Sequence, residues 1–371
     1  MSGFDLILIF IFLVTQTWLM RFFLRRRGLR GRIALGLFEA GVAFCYLLSF
    51  SDLSASMGLS GSGAEVAGAC GLFYLIACVP VAVLLASTER FGRKMDPGRR
   101  RMLEIAGTAA IAAPLGFGYI NRTDFHVREV DVPVAQLPAD LDGLRILQIS
   151  DIHLSPFLSE RDLSRAIDAA AGLHPHIAMV TGDLISTRGD PLDACIRQLA
   201  RVKAEAGVFG CMGNHERYAK VERYTQDAAA RVGIEFLRHT NRQLRFGNAV
   251  VNIAGVDHQS LAGKQIYLRG AERLVQPDAF NILLSHNPDV FPVAARQGYN
   301  FMLSGHTHGG QVTVEILDQS INPARFFTPY VYGLYRSGNA AAYVTRGIGT
   351  IGIPARIGAP PEISLIRLRK A

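Results

Sequence analysis

The sequence predicts an α/β domain preceded by about four transmembrane helices, and three observations support this fold class. The first 120 of the 371 residues contain four long apolar stretches. From about Thr123 onward, short apolar runs alternate with segments whose apolar residues recur at helical spacing. Five short polar motifs each follow one of these later apolar runs. We therefore expect a membrane region over residues 1–120, a connector over 121–143 and a folded domain over 144–371.

Each N-terminal apolar stretch is close to the ~20 residues that a helix needs to cross a bilayer. The four stretches cover residues 6–24, 33–50, 66–86 and 102–120. The first is followed by further apolar stretches, which is not expected of a cleaved signal peptide. The sequence therefore predicts a multi-pass protein of the inner, or cytoplasmic, membrane.

Basic residues are concentrated in two of the three connections between these stretches. Six arginines lie between residues 21 and 32, and six Lys or Arg residues lie between 90 and 101, whereas residues 51–65 contain none. The positive-inside rule places the first and third connections in the cytoplasm and the large domain on the extracytoplasmic face. Arg99-Arg100-Arg101, before an apolar run rich in Ala and Gly, is compatible with a twin-arginine export signal or with a simple topological anchor.

The composition agrees with a membrane region joined to a nearly neutral domain. The mean hydropathy of +0.21 and the hydrophobic fraction of 49% are high for a soluble enzyme. Residues 1–120 carry 12 Lys and Arg against 7 Asp and Glu, and the remainder carries 27 against 24. The high isoelectric point therefore reflects the N-terminal region, and no nucleic-acid partner is predicted.

The second part of the sequence predicts sheets that are covered by helices on their faces. A strand-like stretch over residues 125–132 comes before a proline-containing connector over 133–143. Further predicted strands cover residues 144–150, 177–181, 208–212, 234–237, 249–254, 280–285 and 300–304. Predicted helices cover residues 159–172, 192–206, 220–232 and 289–296. Cys195 and Cys211 fall in a predicted helix and a predicted strand, so we expect two buried free thiols.

Five motifs with metal-binding side chains follow predicted strands. They are Asp151-Ile152-His153, Gly182-Asp183, Gly213-Asn214-His215-Glu216, His286 and Gly305-His306-Thr307-His308. Carboxylate, amide carbonyl and imidazole groups bind divalent metals. Ligand sites in α/β folds form beyond the carboxyl ends of strands, so these side chains are expected along one edge. The glycines at 182, 213 and 305 are expected to permit sharp turns.

Five other histidines belong to no such motif. We expect surface or core positions for His126, His174, His176, His239 and His258. Arg346 and Arg356 have guanidinium groups that can bind a phosphate. Surface or structural roles are the simpler interpretation for both arginines.

With these five motifs in order over about residues 144–311, the chain resembles the calcineurin-like metallophosphoesterases. The resemblance is closest to a branch of small membrane-attached bacterial phosphoesterases, which the run of residues 346–362 also resembles. It implies a four-layer αββα sandwich of two mixed sheets between helices.

The resemblance also implies a set of metal ligands, carried over position by position. The first metal would be held by Asp151, His153, Asp183 and His308. The second would be held by Asp183, Asn214, His286 and His306, with Asp183 bridging the two ions. His215 would stay off the metals and act as general acid or transition-state stabiliser. The cofactors would be two divalent ions, and the mixed nitrogen and oxygen ligands suit manganese, iron or zinc.

The function implied is hydrolysis of a phosphomonoester, phosphodiester or pyrophosphate by a hydroxide that two metals activate. Four spans would hold the domain near the bilayer, so a lipid or another membrane-proximal substrate is expected. If the topology is inverted, a cytoplasmic pyrophosphatase of the UDP-2,3-diacylglucosamine type is the leading alternative. A non-catalytic membrane sensor or scaffold is the alternative of another class, and the complete ligand set argues against it.

Overall fold

The computed structural model describes residues 3–24, 29–48, 62–91, 95–316 and 319–371. The chain divides into two compact units. One comprises Met1–Ile120 and Gly352–Ala355, and the other comprises Asn121–Ile351 and Arg356–Ala371.

The described residues of the first unit form four helices. They are α1 (Gly3–Leu24), α2 (Leu29–Leu47), α3 (Ser62–Phe91) and α4 (Pro97–Asn121). Within the described residues, the stretch Val66–Phe91 of α3 is long and apolar enough to cross a membrane, and Ile9–Leu24 is a shorter apolar helix. One span of the four is thus supported by length and composition, and the other three stay predictions. Residues 25–28, 49–61 and 92–94, which carry parts of the predicted connections, lie outside the described residues.

The second unit alternates strands and helices, as the sequence predicts. Its strands are β1 (His126–Val134), β2 (Arg145–Ile149), β3 (Ile177–Val180), β4 (Val208–Gly210), β5 (Ile234–Phe236), β6 (Thr240–Phe246), β7 (Ala249–Gly255), β8 (Phe280–Leu284), β9 (Phe301–Ser304), β10 (Val314–Ile316), β11 (Gln319–Ile321), β12 (Gly333–Ser337), β13 (Ala340–Val344) and β14 (Glu362–Lys370). Its α-helices are α5 (Glu160–Ala170), α6 (Leu192–Leu199), α7 (Asn214–Ala219), α8 (Glu222–Ala230) and α9 (Phe291–Gln297).

Most of these strands form two mixed six-stranded sheets. The first has the order β1-β14-β2-β3-β4-β5, in which β2 to β5 run parallel and β14 runs antiparallel to β2. The second has the order β12-β13-β9-β8-β7-β6, with parallel strands in its middle and an antiparallel strand at each edge. The carboxyl ends of the parallel strands therefore share one edge in each sheet.

The two sheets pack face to face, and helices cover their outer faces. Ile146 of β2 lies in the core that also contains Ile282 of β8 and Phe301 of β9. The next residue of β2, Leu147, points to the opposite side and packs in the core that contains α5 and α6. Such alternation follows from the two-residue period of a strand. The predicted α/β sandwich is confirmed.

Several elements differ from the sequence-based expectation. Helix α6 ends at Leu199 rather than near 206, because a turn and Gly207, which has a positive φ of 116°, lead the chain into β4. The strand-like stretch predicted over residues 125–132 is present as β1, but the segment 121–143 is more than a connector, because β1 pairs with β14 and so belongs to the first sheet. β14 itself was not predicted, and it occupies an interior position of the first sheet.

Candidate metal centre

The predicted ligands all follow strands whose carboxyl ends lie at the same edge. Asp151 and His153 follow β2, and Asp183 follows β3. Asn214 is the first residue of α7, shortly after β4. In the second sheet, His286 follows β8, and His306 and His308 follow β9. Parallel neighbours in each sheet thus bring together side chains that are up to 157 residues apart in the sequence.

One group of ligand atoms comes from Asp151, His153 and His308, and these atoms lie within 4.8 Å of one another. The two Nε2 atoms of His153 and His308 are 3.1 Å apart, and the His308 Nε2 is 3.5 Å from the Asp151 Oδ1. All three side chains are buried. The group therefore offers two imidazole nitrogens and a carboxylate to one point.

A second group of ligand atoms comes from Asp183, His286 and His306, and these atoms also lie within 4.8 Å of one another. The His286 Nε2 lies 2.9 Å from the Asp183 Oδ2, and the His306 Nδ1 lies 3.2 Å from the His286 Nε2. The same Asp183 oxygen is 3.5 Å from the His153 Nε2 of the first group. Asp183 thus lies between the groups, where the resemblance places a bridging ligand.

Two buried oxygen atoms indicate that this edge suits a cation. Asp151 Oδ2 and Asn214 Oδ1 have no hydrogen-bond partner among the described residues. Buried polar atoms in proteins nearly always have a partner, and a carboxylate or amide oxygen can also bind a divalent metal. The donor set of carboxylates, one amide oxygen and imidazoles therefore fits one or two divalent ions. Which residue binds which ion stays a prediction.

Burial and neighbouring charges set the protonation of these groups. Burial lowers the pKa of His153, of His308 and, to about 3, of His306, so their imidazoles are neutral and have lone pairs for a metal. Burial also disfavours the charged form of His286, but the Asp183 carboxylate outweighs this effect and raises the pKa of His286 to about 10. In the same pair, Asp183 has a pKa well below its usual value.

The backbone at the ligands adopts a conformation that non-glycine residues rarely take. Five of the seven predicted ligands have a positive φ of 47° to 75°, namely Asp151, His153, Asp183, His306 and His308. Each such residue costs about 1 kcal/mol or more, and strain of this kind is concentrated at functional sites. The turns that aim these side chains at the edge are thus maintained against local preference.

Two of the three glycines beside the ligands serve a different purpose from the one expected. Gly182 has a positive φ of 84°, as a sharp turn requires. Gly213, with a φ of −91°, is needed because a Cβ there would collide with the Asp183 carboxylate. Likewise, a Cβ at Gly305 would collide with the Asp151 carboxylate and the Ser150 hydroxyl. At these two positions the requirement is space for a ligand rather than freedom of the backbone.

Glu216 supports the site without belonging to the predicted ligand set. Its buried carboxylate accepts hydrogen bonds from the backbone N–H groups of Asp183 (3.0 Å), Leu184 (2.6 Å) and Gly213 (2.8 Å). It thereby fixes the turn after β3 to the start of α7. The signal was present in the sequence, because Glu216 is the last residue of the third motif.

His215 is held beside both groups by two hydrogen bonds. Its backbone N–H donates to the Asp183 Oδ1 at 2.9 Å, and its Nδ1 lies 2.5 Å from the Ser186 carbonyl oxygen. A carbonyl can only accept, so Nδ1 carries the hydrogen and Nε2 is left for other partners. The His215 ring lies edge-on to His153, with centroids 4.7 Å apart.

His258 is a residue of the site that the sequence interpretation missed. Its ring centroid lies 5.5 Å from that of His306 and 6.0 Å from that of His286. Its Nδ1 is buried without a hydrogen-bond partner among the described residues. It lies there because β7, after which His258 comes, is the neighbour of β8 in the sheet. Only the sheet order could have revealed this. The absence of His258 from the ligand set stays a prediction.

The two arginines considered as phosphate ligands have structural contacts instead. Arg356 is 1% exposed, and its Nε and Nη1 donate to the carbonyl oxygens of Gly349 (3.0 Å) and His308 (2.7 Å). The Arg346 guanidinium lies over the ring of Tyr332, 4.2 Å from its centroid. The free thiols expected at Cys195 and Cys211 are both present and buried.

Comparison with known proteins identifies the domain that carries this edge. Residues 144–310 match the family described as calcineurin-like phosphoesterase. The chain is 32% identical over 290 residues to a "transmembrane protein with metallophosphoesterase domain" of Danio rerio, covering 74% of this chain and 63% of the relative. It is 29% identical to the "uncharacterized metallophosphoesterase YkuE" of Bacillus subtilis, covering 72% and 95%. It is also 29% identical to the "phosphodiesterase YaeI" of Escherichia coli, covering 73% and 98%. The chain spans less than two thirds of the Danio rerio relative.

The protonated His286 makes metal binding dependent on pH. Since its pKa in the metal-free protein is about 10, a metal that binds this imidazole at neutral pH must displace a proton. The apparent affinity for Mn²⁺ should therefore rise about tenfold per pH unit between about pH 6 and 8. Isothermal titration calorimetry in buffers of different ionisation enthalpy measures both the affinity and the protons released. An affinity that does not change with pH would contradict the protonated state of His286.

The Asp151 carboxylate lies so close to Gly305 that a single added carbon at Gly305 would collide with it. Gly305→Ala should lower the metal content and destabilise the protein by about 1–3 kcal/mol, because the Cβ displaces the Asp151 carboxylate. Gly172→Ala is the control, because a Cβ there has no atom within 4 Å, and it should change stability by less than about 0.5 kcal/mol. Thermal unfolding and elemental analysis of bound metal measure the two effects. Equal behaviour of the two variants would show that the close approach is unimportant.

Proposed function

Because the chain carries a calcineurin-like metallophosphoesterase domain, we propose that it hydrolyses a phosphate ester at the edge that holds the two ligand groups. The prediction of a metal-dependent phosphohydrolase is confirmed at the level of the family. The single observation that supports activity in this chain is the pair of ligand groups joined by Asp183. The reaction we propose is hydrolysis of a phosphomonoester, a phosphodiester or a pyrophosphate.

The residues that would hold two divalent ions are those of the two groups together with Asn214. They are Asp151, His153, Asp183 and His308 for one ion, and Asp183, Asn214, His286 and His306 for the other. Manganese, iron or zinc bound there would polarise the phosphate and supply a hydroxide at neutral pH. The chain contributes the rest by keeping the ligands in place, with Glu216 holding the turn of Asp183 and Arg356 holding the turn of His308.

His215 is our proposed general acid. The Ser186 carbonyl keeps the hydrogen on Nδ1, so Nε2 is the nitrogen that can exchange a proton with the ester. An alkoxide is a poor leaving group, and protonation of its oxygen removes the charge that would otherwise develop. The hydrogen bond from the backbone N–H of His215 to the Asp183 carboxylate keeps the imidazole beside the ligand groups while the proton moves.

We further propose that the substrate is a lipid phosphate ester or another ester at the membrane surface. Support comes from the stretch Val66–Phe91, which is long and apolar enough to cross a bilayer, and from the Danio rerio relative, which is named a transmembrane protein. Our proposed topology keeps the four spans of the sequence interpretation, with the domain on the extracytoplasmic face. A domain tethered in this way meets bilayer substrates at a high effective concentration.

Asp183→Asn should reduce hydrolysis to near background, because an amide cannot supply the negative charge that both ligand groups share. The purified full chain with Mn²⁺ is assayed on bis-p-nitrophenyl phosphate, on p-nitrophenyl phosphate and on vesicles that contain a lipid phosphate ester. The control is Asp278→Asn, which changes an exposed carboxylate elsewhere and should keep wild-type activity.

A wild-type protein that binds Mn²⁺ but hydrolyses none of these esters would contradict the proposed enzyme and favour the sensor or scaffold. Hydrolysis of the soluble esters alone would contradict the lipid substrate and leave the phosphoesterase standing.

His215→Asn should lower kcat by about 10²–10⁴-fold for an ester with an alkyl leaving group, while bound metal is retained. The loss should be much smaller for a nitrophenyl ester, because nitrophenolate leaves without a proton. His239→Asn is the control, since His239 is exposed and Asn tolerates its positive φ of 52°. Rates on the two esters are compared for all three proteins. An equal loss on both esters would exclude proton donation to the leaving oxygen.

A further inference from the structure

We propose that residues 322–331, here called the aromatic turn, insert into the surface of a lipid bilayer and hold the metal centre at the level of the lipid headgroups. The inference rests on the proposed function at one point, namely that the metal centre acts on a lipid phosphate ester. Insertion itself is a separate property of the surface, and it can be measured without any turnover.

The first observation is the exposure of two adjacent phenylalanines. Phe326 is 86% exposed and Phe327 is 67% exposed. Among the described residues of 121–371, these are the only exposed phenylalanines. Large aromatic side chains are normally buried, and an exposed apolar cluster marks an interaction site.

The second observation is that the aromatic turn is tied at both ends to the loop that carries His308. At one end, the buried Asn322 donates from Nδ2 to the Gly309 carbonyl oxygen and to the Thr313 hydroxyl, both at 2.8 Å. At the other end, the Thr307 hydroxyl donates to the Val331 carbonyl oxygen. Thr307 and Gly309 are the two neighbours of His308 in the sequence. The position of the two phenylalanines is therefore fixed relative to a predicted metal ligand.

The third observation concerns the backbone and the charge at the tip. The N–H groups of Phe327 and Thr328 both donate to the Ala324 carbonyl oxygen at 3.0 Å, and the Arg325 N–H donates to the Asn322 carbonyl oxygen at 3.1 Å. Backbone groups that enter the lipid need such internal partners. The exposed Arg325 beside the two rings suits anionic headgroups, as basic residues do in interfacial segments.

A bilayer is a better occupant for this surface than a second copy of the chain. Two phenylalanine side chains bury about 150–250 Å² each, whereas a stable protein interface buries about 1,200–2,000 Å². A bilayer requires no such area, because insertion of a few apolar side chains next to a basic residue already gives binding. The same chain carries the stretch Val66–Phe91, which is long and apolar enough to cross a bilayer.

The direct test places a fluorescent probe at the tip of the aromatic turn. The chain contains one tryptophan, Trp18, so the double variant Trp18→Phe/Phe326→Trp has a single probe at position 326. The full chain is reconstituted in vesicles of phosphatidylcholine and phosphatidylglycerol, with or without bromine atoms on the acyl chains. Brominated lipid should lower the emission about twofold if the ring is inserted. The control is Trp18→Phe/Tyr224→Trp, at an exposed aromatic position of α8, where no quenching is expected.

Emission from position 326 that brominated lipid leaves unchanged would overturn the proposal. Emission that instead shifts to the blue with rising protein concentration in detergent would also overturn it, and would assign the surface to a second copy of the chain.

A second measurement connects insertion to catalysis. The double variant Phe326→Ser/Phe327→Ser should lower kcat/KM for a lipid phosphate ester in vesicles about tenfold, and should leave hydrolysis of bis-p-nitrophenyl phosphate unchanged. An equal loss on both esters would contradict a role in presenting lipid. A wild type that hydrolyses no ester would contradict the proposed function, and the quenching result would still decide on insertion.

Discussion

The Asp183 carboxylate is the group on which the rest of the centre depends. It is buried, it lies 2.9 Å from the His286 Nε2 and 3.5 Å from the His153 Nε2, and one of its oxygens accepts the N–H of His215. A buried carboxylate is stable only where positive charge or donors surround it. The turns after β2, β3, β8 and β9 all converge on this one anion. The domain is therefore organised around a buried negative charge that attracts divalent cations.

Keeping that anion in place has a cost in local stability, and the surrounding structure offsets it. Positive φ angles at five predicted ligands oppose folding, as does the conformational entropy lost at Gly213 and Gly305, where a carboxylate lies too close for a Cβ. The packed sheets on either side restrict these turns, and Glu216 and Arg356 supply hydrogen bonds to their backbone atoms. Buried polar networks of this kind are worth most when every member is satisfied. Bound metal would satisfy the oxygens of Asp151 and Asn214 that still have no partner.

The sequence predicted the centre better than the scaffold, for a physical reason. Apolar runs and the polar residues that end them are local signals, so β2, β3, β4, β8 and β9 and the motifs after them could be recognised. Which strands are neighbours in a sheet is not encoded in local sequence. The position of His258 beside the site and the interior position of β14 therefore could not be predicted from the sequence. The ligand groups themselves depend on order within the sheets, which the family resemblance supplied. The N-terminal spans rest on length and composition alone, and of these only the stretch Val66–Phe91 meets both in the described residues.

The place of β14 has a consequence for how the domain is made. β1 pairs with β14 and with no other strand of its sheet, and residues that meet across this pair, such as Glu129 and Arg367, are 238 positions apart. During synthesis, β1 stays unpaired until almost the whole domain has left the ribosome, because β14 is synthesised last. Completion of the first sheet is therefore a late and slow event, because β1 and β14 are far apart in the sequence. Such a delay would suit the extracytoplasmic placement that we propose, because the domain would then have to stay unfolded while it crosses the membrane.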